Sequence, residues 1–239
     1  MKKNLCCLLL LALLGGPVSE VIAQSASRPA PTAAELKKNI AAAAASTEGQ
    51  STNKLLVKLD RQLVAYLKTH EVSAAAAKKL GLGYAESPDA ARLKVFSYSY
   101  SSGGTRGEVT QPIVQWKNQA GQLFAYAAHD EGGFEKIYKL ASPGRTQYLL
   151  LGNEQGSSIC MRGIAWLLEL KGDYLLLDKQ AFDNKPTLDI CNVALTYRAS
   201  QQALVVAADN DIGDPDVYGE EPFKPFTLYL SQGRFVRKR

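Results

Sequence analysis

Residues 93–108 read LKVFSYSYSSGGTRGE, and the fold turns on this stretch. Aromatic residues and serines alternate, and then a Ser-Ser-Gly-Gly-Thr run breaks the pattern. Three readings compete: an exposed aromatic platform, a serine-rich catalytic loop, or a strand running into a turn. On a strand, successive side chains point to opposite faces, so Phe96, Tyr98 and Tyr100 share one face while Ser97, Ser99 and Ser101 share the other. Gly103-Gly104 then supplies the positive φ that a tight turn needs. The strand reading therefore places every residue.

Working outward toward the C-terminus, the same period of two recurs. It marks strands at 93–101, 109–117, 122–128, 134–141, 146–152, 159–170, 173–178, 188–197, 203–208 and 226–236. Gly- and Asn-containing joints separate several of them, at 118–121, 142–145, 171–173 and 231–233. Many short strands with regular turns define a mainly β fold, an antiparallel meander forming a sandwich or barrel over residues 85–239.

Toward the N-terminus the period changes to 3.6. Leu55, Leu59, Leu63 and Leu67 form an i, i+4 stripe, widened by Leu56 and Tyr66, with Asn53 as the expected cap. An alanine-rich helix over 33–45 precedes it, with little bulk to bury, and a short helix over 74–80 ends at Gly81. The helical region, 33–84, has one apolar stripe and must dock on the β domain. Residues 24–32, QSASRPAPT, have the composition of a flexible linker.

Residues 1–23 match a secretory leader. Lys2 and Lys3 precede an apolar run at 5–14, Gly15-Gly16-Pro17 breaks it, and Val21-Ile22-Ala23 fits a cleavage site. The run is too short for a membrane span, which needs roughly 20 apolar residues. The expected location is the periplasm or the extracellular space, with no transmembrane segment after cleavage. Losing Lys2, Lys3 and Glu20 takes the formal charge from +5 to +4, an excess matched by Arg234, Arg237, Lys238 and Arg239 at the C-terminus. A neutral body with a short basic tail excludes a nucleic-acid groove from the expectations. Cleavage also leaves Cys160 and Cys191 as the only cysteines, an even pair suited to a disulfide in an oxidising compartment. Two buried free thiols are the alternative.

The chain also resembles a family of uncharacterised secreted proteins of Gram-negative bacteria. The resemblance rests on Ser87-Pro88-Asp89, on Leu93-Lys94-Val95-Phe96-Ser97, and on Gly103-Gly104-Thr105. Lys136-Ile137-Tyr138-Lys139-Leu140 and Thr146-Gln147-Tyr148-Leu149-Leu150 resemble that family's next hairpin. Its pattern is S-x-D-G-[KR], a strand ending in Ser-Trp-Asp, and a G-G-T turn. This chain departs from it at Ala90-Ala91, where the pattern has glycine, with one extra residue before Leu93, and at Tyr98-Ser99, where it has Trp-Asp. The resemblance implies the β architecture and export, and lends no catalytic residue.

Chemistry-bearing patterns are sparse. His129, in Ala127-Ala128-His129-Asp130-Glu131-Gly132-Gly133, is the one candidate catalytic base, with Asp130 or Glu131 and a serine near 99–102. It lacks the G-x-S-x-G strand–turn–helix context. Asp209, Asp211 and Glu220 have the 1, 3, 12 spacing of a calcium loop, but Gly213 sits where a ligand belongs and Asp214 where the turn glycine belongs. No other cofactor is expected. Tyr98, Tyr100, Trp116 and Tyr126 are candidates for an aromatic surface that stacks on a ligand such as carbohydrate. The expected role is an exported, non-catalytic binding or structural module with a carbohydrate or protein partner. The alternative is a hydrolase of an envelope or extracellular polymer, using acids of the 209–221 loop.

Overall fold

A computed structural model describes residues 30–46, 50–103, 106–209 and 223–238. The leader, nearly all of the linker, Gly104-Thr105 and most of the acidic loop lie outside the described residues. Three helices come first: α1 (Ala33–Ala44), α2 (Gln50–Leu67) and α3 (Ala74–Leu80). α1 opens on a capping box, in which the Thr32 hydroxyl accepts from the Glu35 amide while the Glu35 carboxylate accepts from the Thr32 amide. α3 is capped by Ser73 and closes on Gly81 at φ 84°, a left-handed position that glycine adopts without strain. α2 starts at Gln50, so Asn53 lies inside its first turn rather than at its cap.

Among the described residues, thirteen strands follow in three antiparallel sheets. The first sheet runs β1 (Gly83–Glu86), β2 (Leu93–Gly103), β3 (Gly107–Lys117), β4 (Leu123–Ala127) in that order. In the second, β5 (Gly133–Lys139), β6 (Thr146–Ser157) and β7 (Cys160–Lys171) are neighbours. The outer edge of β7 is shared by β8 (Tyr174–Leu177) on its C-terminal part and β9 (Thr187–Cys191) on its N-terminal part. The third runs β10 (Val193–Arg198), β11 (Ala203–Ala208), β12 (Phe226–Ser231), β13 (Arg234–Arg237).

The core divides into three slabs that fix the stacking order. Leu36 and Ile40 of α1 with Leu59, Leu63 and Leu67 of α2 pack on Phe96, Tyr98, Ile113 and Ala125 of the first sheet. The opposite face of that sheet, with Leu93, Val95, Val114 and Trp116, packs on Phe134, Tyr148, Leu150, Ile164 and Trp166 of the second. The second sheet's far face, with Leu149, Leu151 and Leu167, meets Tyr197, Leu204, Val206 and Phe235 of the third. The result is a layered sandwich of helices and three sheets, and none of the described sheets closes into a barrel.

Several differences from the sequence reading have local causes. β1 is four residues long and carries one buried side chain, Ala85, too weak a pattern to stand out. The segment 188–197 is two strands, split at Asn192 with φ 51°. The segment 226–236 is a hairpin rather than one strand, and it turns at the expected 231–233 joint, where Gln232 and Gly233 both take positive φ. α1 contributes more core than its alanine content suggests, since Leu36 and Ala43 are fully buried. Among the described residues, no helix is long and apolar enough to cross a membrane.

Candidate binding groove

The four candidate aromatics split between opposite faces of the first sheet. Tyr98 and Tyr100 point toward the helices, and Tyr98 is only 2% exposed, with its hydroxyl donating to Asp60 of α2 at 2.8 Å. The tyrosine face of β2 is therefore helix-covered core, and Tyr98 and Tyr100 are not part of an exposed platform. Burial, and then the Asp60 charge, push the Tyr98 hydroxyl above its ordinary range. Asp60 itself is pushed up by burial, only partly offset by the Tyr98 hydrogen bond.

Trp116 and Tyr126 lie on the other face and do meet. They line a groove of about 670 Å³ where the β4 edge of the first sheet faces the β8 edge of the second. Trp116 and Trp166 line it as nearly buried rings, the first stacked on Phe124 with centroids 5.6 Å apart. Tyr126, 45% exposed, borders it from β4, and Tyr174, 73% exposed, borders it from β8 with Leu175 and Leu177. Polar groups sit among the lining too: Lys68, His129, Asp130 and Asp173.

The groove is held open by its own scaffold. Lys171-Gly172-Asp173 turns β7 into β8, with Gly172 at φ 62°. The backbone carbonyl of Asp173 accepts from the Trp116 indole at 3.1 Å, and its carboxylate accepts from Asn118 at 2.7 Å. These two bonds pin the β7–β8 hairpin to the first sheet at one end of the groove. Beside the groove, the segment that ends and follows α2 is tied to β3, where the carbonyls of Leu67 and His70 accept from the buried Gln115 side chain. His70 stacks on Tyr66 just past the end of α2, with ring centroids 4.1 Å apart.

His129 stands edge-on to Tyr126, with centroids 5.7 Å apart, and lines the groove beside Asp130. Among the described residues, no serine lines the groove with it. Glu131 turns away to pair with Arg106. Asp209 is described, its amide donating to Asn192 at 2.9 Å, whereas Asp211, Glu220 and the rest of the acidic loop lie outside the described residues. No group of three or more metal-ligating side chains occurs among the described residues.

The motif residues Ser87 and Asp89 prove structural. The Asp89 carboxylate accepts from Ser87 at 2.6 Å and from Tyr148 of the second sheet at 2.8 Å, and pairs with Lys139 at 3.1 Å. Burial pushes Asp89 up, yet these three partners outweigh it and hold the carboxyl below its usual range. Ala90 and Ala91, standing where the family pattern has glycine, take φ of 54° and 52°. Cys160 and Cys191 sit at disulfide distance, with Cα atoms 5.1 Å apart, joining β7 to β9.

Sequence reasoning missed Trp166, Tyr174 and Leu177 as groove residues. The signal was present in YLLL at 174–177, four large apolar residues in a row directly after a turn. Set against known proteins, the chain matches no family model, no curated protein and no solved structure.

Proposed function

We propose that this chain is an exported binding module that holds a saccharide in the groove between β4 and β8. One observation carries the reading. Six large apolar side chains stand exposed among the described residues, and three of them, Tyr126, Tyr174 and Leu177, line this groove. Single exposed apolar residues need no explanation, but a cluster of them rimmed by polar groups marks a contact surface. Sugar rings present apolar C–H faces and hydroxyl edges. The tyrosine and tryptophan rings suit the faces, and Asp130, His129 and Lys68 can exchange hydrogen bonds with the edges. Rigid aromatic walls lose little side-chain entropy on binding. The leader-like N-terminus and the cysteine pair at disulfide distance support placement outside the cytoplasm.

Both tryptophans of the chain line the groove, so intrinsic fluorescence reports its occupancy without a label. Titration of the mature protein with oligosaccharides of glucose, N-acetylglucosamine and galacturonate is expected to give a saturable emission change with at least one. Tyr126→Ala and Tyr174→Ala are each expected to weaken that binding roughly five- to thirtyfold, about 1–2 kcal/mol for a lost aromatic contact. No emission change with any sugar, or a change indifferent to both substitutions, defeats the saccharide reading. N-terminal sequencing after expression in a Gram-negative host tests export separately, with Gln24 as the expected first residue.

A further inference from the structure

A second cavity, of about 460 Å³, opens between the first and second sheets, around the start of β3 and the β6–β7 hairpin. Its charge is one-sided. Glu108, Glu135 and Glu154 line it, and among the described residues no lysine, arginine or histidine does. Glu108 and Glu135 are exposed at its rim, while Glu154 is 3% exposed at its floor.

Glu154 is also incompletely satisfied. Its Oε1 accepts from the Thr110 amide at 3.1 Å and lies 3.7 Å from the Arg106 guanidinium, which is shared with Glu131. Its Oε2 is buried with no donor in reach. A buried acceptor without a partner costs about 1–3 kcal/mol, and such groups in native proteins call for an explanation. Burial pushes the Glu154 carboxyl above its usual range, and the Thr110 amide and hydroxyl with the charges of Arg106 and Arg162 offset this only in part.

We infer that this cavity binds an organic cation bearing N–H donors, an alkylammonium or alkylguanidinium group, drawn in by Glu108 and Glu135 at the mouth, with the Glu154 carboxylate turning to present Oε2, closed off from the cavity until then, as its inner acceptor. The charge-assisted hydrogen bond is the strong kind, and Glu108 and Glu135 add attraction at the mouth. Phe134, Met161 and Tyr84 give apolar surface for the alkyl body. A bare metal ion fits less well. The cavity is far larger than an ion, and its carboxylates do not converge as a ligand set. Gly83 and Ser97, paired across β1 and β2, are small residues on its wall, and a Cβ added at Gly83 would stand 2.3 Å from the Ser97 hydroxyl.

The test uses the mature protein and amide NMR, because the Thr110 N–H donates directly to Glu154. The probes are n-butylammonium and n-butylguanidinium chloride, with tetramethylammonium, sodium and magnesium chloride at matched ionic strength as comparisons. Saturable shifts at Thr110, Gly133 and Asn153 with the two N–H cations alone are expected. Glu154→Gln should weaken this at least tenfold. Should that variant fail to fold, Glu108→Gln/Glu135→Gln, at exposed positions, should weaken it about threefold or more. The absence of saturable shifts overturns the inference, as does equal response to tetramethylammonium or simple salts, or unchanged binding in the folded variants. A peptide Ac-Gly-Arg-Gly-NH2 separates the two sources of the same chemistry. Binding tenfold tighter than n-butylguanidinium assigns the site to a side chain of a polypeptide, and equal binding assigns it to a free small cation.

Discussion

Alternation in FSYSYSS establishes which residues share a face, because two-residue periodicity is intrinsic to a strand. It does not say which face meets water, and that depends on what folds over each. Here α2 covers the tyrosines, and the cost is visible at Asp60, whose half-buried carboxylate accepts from the Tyr98 hydroxyl. The folded state raises the Asp60 pKa above its unfolded value, so the ionised form is penalised on folding. The stabilising contribution is then complete below the unfolded pKa, near pH 4, and is lost as pH rises through the folded value. Asp60→Asn keeps an oxygen to accept from Tyr98 and removes the ionisation. Its melting temperature is expected to exceed that of the parent at pH 7, with the difference shrinking to nothing by pH about 4. A melting series across that range checks it, and a variant less stable at pH 7 would assign Asp60 a net favourable charge.

Elements were legible where a single local rule determined them. The leucine stripe of α2, the Gly81 stop and the turn at Lys171-Gly172-Asp173 each follow from one residue type in one place. The split at Asn192 was harder, since the positive φ there belongs to a non-glycine residue inside an otherwise continuous apolar strand pattern. The same is true of close approaches between strands. Gly152 of β6 lies against Gly133 and Phe134 of β5, beside an irregularity in the ladder, and an added Cβ would stand 2.1 Å from the Gly133 carbonyl oxygen. The obstructing atoms are backbone and cannot rotate away. Gly152→Ala is therefore expected to push β5 off β6 and cost about 3 kcal/mol, the upper end of ordinary overpacking. Urea unfolding followed by far-UV circular dichroism measures it, and an unchanged midpoint would mean that β5 yields freely.

At the scale of the whole molecule, the stacking order was the least legible feature, for a physical reason. A sheet covered on both faces shows no polar alternation, so Tyr148-Leu149-Leu150-Leu151 reads as one apolar run although its side chains serve two different slabs. The groove was hidden for a related reason: its walls, β4 and β8, lie some fifty residues apart in sequence and meet only through the packing of two sheets. What holds the layers in order is concentrated at their joints. Between the second and third sheets that joint is Asn192, fully buried, which exchanges hydrogen bonds with Met161 and donates to the Ile159 carbonyl. Cys191, the residue before it, sits at disulfide distance from Cys160, 31 residues away. A bond there anchors the passage from β9 into β10 to the β6–β7 hairpin, and for a loop of this size chain entropy gives a stabilisation of about 3–4 kcal/mol. Reducing the mature protein is then expected to lower its melting temperature by roughly 6–16 °C, at about 2–4 °C per kcal/mol for a chain of this length. Cys160→Ala/Cys191→Ala should show a comparable loss without reductant and no further response to it. The groove, formed by the first and second sheets, should keep its saccharide affinity in the double variant below its melting point. Loss of binding there would show that the third sheet, through this joint, also sets the spacing of the groove walls.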